Sequence, residues 1–224
     1  ASTLGMSTAD FMAGNDRLAG DSTSAVINQG QIRTAQGGTV ALVAARVTNL
    51  GEISAPYGSA LLAAGRKVRL DLGGPAQIEV EEGALNALIE QSGSIRAADG
   101  MVYLTAKAVS QLSSSAINQS GLIEAGSIDA KGGLVMLEAD HIRLGSGGRI
   151  DATGAKGGGT VLVGGDWQGG GGEAHASRVG VAAGATIKAD ATGKGDGVLV
   201  EFLRHSPPDL TTLAKTNGGI LPMD

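Results

Sequence analysis

The chain has 224 residues, of which 38 are Gly and only 5 Pro, with a hydrophobic share of 42% and an aromatic share of 2%. That balance excludes collagen and a disordered Pro/Gly tract, and it requires a core of stacked Ala, Val, Leu and Ile rather than of rings. Cys is absent and the net charge is −5 with both signs scattered along the chain, which excludes disulfides, Cys-ligated metal and thiol nucleophiles and gives no basic patch for nucleic acid and no polybasic surface for anionic lipid, so neither partner is expected.

The first segment, 1–24, reads as a lead-in. It begins on Ala and lacks the charged and apolar regions of a signal peptide, so the chain reads as a fragment. Within it Ser7-Thr8-Ala9-Asp10 has capping-box order with Asp in the place of Glu, which predicts one short helical turn, either covering the open end of the first rung or lying on the surface. No run of 18 apolar residues occurs anywhere, so no membrane span is expected.

From Ala25 onward the chain repeats itself. Ala25–Thr34, Val47–Ala55, Leu88–Ala97 and Ala116–Ala125 share one pattern of apolar residues, an amide, Gly and Ile, and Gly147–Ala152 and Gly184–Ala189 are degenerate copies. The anchoring residues Ile32, Ile53, Ile95, Ile123, Ile150 and Ile187 fall at intervals of 21, 42, 28, 27 and 37 residues. Since 42 is twice 21, a missing coil is expected in Lys67–Glu82. After most anchors comes Gly followed by four or five β-formers, as in Gly38–Val43, Gly58–Ala63, Gly100–Thr105, Gly133–Glu138 and Gly159–Val163, and often a third strand such as Arg46–Asn49 or His141–Leu144.

Recurrence of the same residue type at the same place is what a solenoid needs, because copy n lies on copy n−1, whereas in a sandwich each strand meets a different neighbour. The expected fold is all-β, a right-handed parallel β-helix of about seven to nine rungs with a short N-terminal turn and an irregular C-terminal tail. At about 4.8 Å per rung the rod would be of order 35–45 Å long. Asn28, Asn49 and Asn118 precede the corners, where each can take a left-handed conformation or ladder its amide with the next rung. The β-helix is expected over 1–203 and a cap or loose extension over 204–224, where three of the five prolines cluster.

Ala1–Gly14 followed by Ser24–Ile32 resembles the secretion-domain region of two-partner secretion exoproteins, the filamentous haemagglutinin family, and Gly37–Ala44, Leu85–Glu90 and Gly157–Trp167 are similar to its later repeats. The resemblance covers roughly residues 1–200; the family's Asn-Pro-Asn motif has no counterpart here. It implies a secreted or surface-displayed protein of a Gram-negative bacterium, exported by an outer-membrane two-partner transporter, with a structural and adhesive role toward a host-cell or bacterial surface receptor or glycan.

No residue is assigned to catalysis, cofactor or metal. His141, His175 and His205 lack the spacing of a metal site. Ser146, in Gly145–Gly148, reads as a corner and not a nucleophile. Glu79, Glu81 and Glu82 with Asp71 form the densest carboxylate cluster; acid–base work on glycans is one reading and a solvated strand face the other. Gly169–Gly172 lacks the Lys of a phosphate loop and reads as an excursion beside Trp167, whose ring is a candidate contact. The loops Gly73–Gly83 and Gly169–Ser177 are expected contact sites. The rivals from other classes are a β-helix polysaccharide lyase or hydrolase, and the stalk of a contact-dependent toxin-delivery protein.

Overall fold

A computed structural model describes residues 1–72, 76–109, 115–128, 130, 132–165, 175–193, 195–196 and 200–202. Three six-stranded sheets, parallel throughout, run side by side along one axis. Sheet I holds Ala25–Asn28, Arg46–Asn49, Leu88–Gln91, Ala116–Gln119, His141–Leu144 and Arg178–Val181. Sheet II holds Gln31–Arg33, Glu52–Ser54, Ser94–Arg96, Leu122–Glu124, Arg149–Asp151 and Thr186–Lys188. Sheet III holds Thr39–Ala44, Ser59–Ala64, Met101–Ala106, Leu134–Glu138, Thr160–Val163 and Val200–Phe202. One strand from each sheet makes one coil, and the fold is the expected parallel β-helix.

The isoleucine column is in register throughout: Ile32 pairs with Ile53, Ile53 with Ile95, Ile95 with Ile123, Ile123 with Ile150, and Ile150 with Ile187. Sheet III adds Leu42, Leu62, Leu104, Leu137 and Val163 in one column. Alternation along each short strand turns these residues inward, where they form a continuous core with the Val and Ile of sheet I. The rungs approach closely at the corners. A Cβ on Gly51, Gly93 or Gly121 would stand 2.1 Å from the carbonyl oxygen of the glycine one rung below, so only Gly fits the stack.

Six coils are present among the described residues, fewer than seven to nine, and the first and last strands of a sheet lie about 24 Å apart. The difference arises at Lys67–Glu82. Ile95 sits directly on Ile53, so the 42-residue interval holds one coil and an excursion, not two coils. The excursion is an antiparallel hairpin, Lys67–Asp71 with Gln77–Glu82, joined by Arg17–Ala19 into a three-stranded side sheet. Its apolar face, Val68, Ile78 and Val80 with Leu18 and Leu70, packs on the outward side chains of sheet III, among them Val43, Leu61, Ala63 and Tyr103. This explains why Ser59–Ala64 is buried at all six positions: one face meets the rod core and the other meets the side sheet.

The lead-in does two things. Ser2 bridges Val43 in parallel, with Val43 N–H donating to the Ala1 carbonyl and Thr3 N–H to the Val43 carbonyl, so residues 1–3 cover part of the first rung's free edge. The expected helical turn is Thr8–Ala13, with Ser7 as N-cap accepting from the Asp10 N–H and Gly14 closing the C-terminus at φ 69°. None of its residues is buried, so it is the surface turn and not the cover. Residues 204–224 lie outside the described residues.

Candidate functional site

The three glutamates of the side sheet, Glu79, Glu81 and Glu82, are built into ion pairs. Alternation along Gln77–Glu82 puts Ile78 and Val80 inward and Glu79 and Glu81 outward, facing cations of the neighbouring strands. Arg17 holds Glu81 at 2.7 Å, Arg69 holds Glu79 at 2.7 Å, and Arg66 holds Glu82 at 2.7 Å. Lys67 bridges Glu81 and Glu82 at 3.4 and 3.3 Å, and Arg66 also reaches Asp21. The guanidinium hydrogen bond from Arg17 lowers the Glu81 pKa, and the hydrogen bonds from Arg66 and Lys67 lower that of Glu82. A general acid needs its pKa raised toward neutrality; these two are moved the other way. Of the stretch Gly73–Gly83, read as a contact loop, residues 73–75 lie outside the described residues and Gln77–Glu82 is strand.

Sheet II carries a second charged column. Glu52 lies 3.7 Å from Arg33 and 3.5 Å from Arg96, and Arg96 reaches Glu124 at 3.3 Å. Because opposite charges alternate between rungs, this column is matched internally, and exposed pairs of this kind contribute about 0–1 kcal/mol each.

Inside the rod, the sheet I corner holds a polar column. Asn28 Nδ2 donates to Asn49 Oδ1 at 2.7 Å, and Asn49 Nδ2 donates to Gln91 Oε1 at 2.7 Å. Gln91 Nε2 then donates to the Gly93 and Leu122 carbonyls, and Gln119 Nε2 to those of Gly121 and Arg149. Neither Asn28 nor Asn49 has a positive φ, so of the two readings the amide ladder is the one observed. Asn118 does not join it. Gln119 stands on Gln91, and Asn118, one residue earlier, points outward between Glu90 and Arg143. The ladder residue is the one two positions before the corner Gly, which gives Asn28, Asn49, Gln91 and Gln119; that spacing could have found Gln119. Gln119 Oε1 is buried with no partner, and Leu144 occupies the next rung. The column is structural and ends there.

His141 is half-exposed with Nε2 3.6 Å from Asp140 Oδ2, and His175 Nε2 is buried without a hydrogen-bond partner; His205 lies outside the described residues. Among the described residues no three His, Asp or Glu side chains converge as a metal site would require. Ser146 lies in the turn closed by Gly148 N–H on the Gly145 carbonyl. Trp167 and Gly169–Gly172 lie outside the described residues, as does most of Gly169–Ser177. No helix among the described residues is long and apolar enough to cross a membrane.

No protein-family model matches the sequence. No curated protein matches it either. Among solved structures, the chain is similar to the HMW1 secretion domain from Haemophilus influenzae, with a TM-score of 0.57 and 26% identity over 85% of this chain. The match takes in 58% of that chain's length. With the six-rung ladder, this likeness shows a parallel β-helix similar to a secretion domain, in line with the resemblance to two-partner secretion exoproteins carried by the sequence motifs.

Proposed function

We propose that the chain is part of the secretion region of a large exoprotein of a Gram-negative bacterium, exported by a dedicated outer-membrane transporter and displayed outside the cell or released. The observation that carries this reading is the in-register parallel rod combined with its likeness to a secretion domain. Its role is mechanical and adhesive. A rod whose backbone groups pair rung on rung resists local opening and holds exposed side chains at fixed spacing, so it can act as a stiff support toward a surface receptor or glycan. No catalytic step is assigned to it: the three glutamates of the densest carboxylate cluster are committed to ion pairs, which favours the structural reading over a polysaccharide lyase or hydrolase.

The test is genetic. An outer-membrane transporter gene is expected beside the parent gene, and its deletion should remove the parent protein from the medium and the cell surface while its precursor is still made. Absence of such a gene, or unchanged export after its deletion, overturns the reading.

A further inference from the structure

The outer face of sheet I differs from the two matched charged surfaces. In the fifth and sixth rungs His141 stands opposite Arg178, and Arg143 opposite Gly180. The two arginines therefore occupy one diagonal of a four-residue cell, and Gly180 leaves one corner of it without a side chain. Ala116 and Asn118 of the fourth rung continue the same two columns, and the six residues line one shallow depression. Both arginines are exposed, and among the described residues neither has a carboxylate within ion-pair distance. Along all six rungs these columns hold Arg46, Arg143 and Arg178 against one carboxylate, Glu90. Asp140, at the margin, lies 3.6 Å from His141 and accepts a hydrogen bond from the Ser177 hydroxyl.

Gly180 has no structural reason to be glycine. The corner glycines are forced by carbonyls about 2 Å from where a Cβ would stand, but nothing lies within 4 Å of a Cβ at Gly180, and its φ is not in the left-handed region. A glycine inside a strand weakens it and marks a place where a ligand or another backbone comes close.

We propose that this cell binds the oxyanion of an acidic polysaccharide, with Arg143 and Arg178 donating forked hydrogen bonds to a carboxylate or sulfate while the sugar ring lies over Gly180. The inference deepens the exported-exoprotein reading and rests on it, since export places this face among extracellular glycans. A single free anion on so open a surface would be screened by salt, whereas a polymer with repeated anions engages the cell and Arg46 together. A nucleic acid fits less well. So few cations release few counterions, and among the described residues of this face there is no aromatic ring on which a base could stack.

The test uses the purified chain and four probes: polygalacturonate, dextran sulfate, neutral dextran and single-stranded oligothymidylate. At moderate salt, polygalacturonate or dextran sulfate should bind at least tenfold more tightly than dextran, and the stronger of the two identifies the oxyanion. The double variant Arg143→Ala with Arg178→Ala should lose at least tenfold of that binding, and Arg33→Ala, on sheet II, should stay within twofold of the parent. Gly180→Val separates binding from folding: it should melt no lower than the parent yet bind at least fivefold more weakly. Equal binding to charged and neutral dextran, unchanged binding in the double variant, or tighter binding of oligothymidylate than of either acidic polysaccharide would overturn the proposal. None of these results bears on export, which the transporter deletion reads without any glycan, so the two readings fail separately.

Discussion

The rod and the side sheet are built from similar text. Both alternate apolar and polar residues over three to six positions, and both bury one face. They differ in what holds them. In the rod each strand lies on a copy of itself, so Ile95 meets Ile53 and Ile123 and the stack is satisfied by like on like. In the side sheet unlike strands meet: Arg69 stands opposite Glu79 and pairs with it, and Arg17, opposite Arg69, reaches past that strand to Glu81. Alternation by itself thus announces a strand, and only repetition announces a solenoid.

The substitution expected to do most damage is Gly93→Val in the middle of the corner stack. Its Cβ would stand 2.1 Å from the Gly51 carbonyl oxygen, and because backbone faces it, relief requires the rungs to part; a loss of about 3 kcal/mol or more is expected. Chemical denaturation would measure it, and a loss below about 1 kcal/mol would mean that the rungs are not packed so closely. Asn49→Leu is next. It leaves Asn28 Nδ2 and Gln91 Oε1 without their amide partners, at a cost of about 2 kcal/mol. Gln119→Leu, beside Leu144 and with an oxygen already unpartnered, should cost less than half as much in the same assay.

Tyr57→Gly works in the opposite direction. Tyr57 has φ 55° and is more than half exposed, so releasing the left-handed strain should raise stability by about 1 kcal/mol, read as a higher melting temperature. The most local effect is that of acid on the side sheet. Glu81 and Glu82 have pKa values lowered in the folded chain, so they contribute stability above the ordinary carboxylate range, and it is lost as pH falls through their folded values. Hydrogen exchange followed from neutral pH down through the carboxylate range should therefore quicken at Lys67–Asp71 and Gln77–Glu82 before it quickens in the strands that bear the isoleucine column. Simultaneous opening of both regions would show that they form one cooperative unit.

Much of the rod is legible in the sequence, because its signal is carried by residues whose neighbours are copies of themselves. Ile32, Ile53 and Ile123 each lie in the column that their sequence context indicates. The hairpin is less legible. An interval of 42 fits two coils as well as one coil and an excursion, and the two differ only in whether the inserted strands have a rod neighbour or an outer apolar face to cover. Asn118 is ambiguous for a similar reason: it has the residue type of the ladder but the parity of the surface, and a one-residue offset reverses the face. The cell around Gly180 is assembled from strands whose first residues, His141 and Arg178, are far apart in the chain, so no linear basic cluster announces it.

By itself the sequence determined the class of fold, the small-residue core and the recurrence of Gly at the corners, since each arises from local alternation and from like residues recurring at like positions. Tertiary structure alone decided which coil follows which across the long interval, which carboxylates meet cations, and which arginines stand on sheet I away from any described carboxylate. Those outcomes depend on pairing between residues distant along the chain, and contact of that kind leaves no periodic trace in the text.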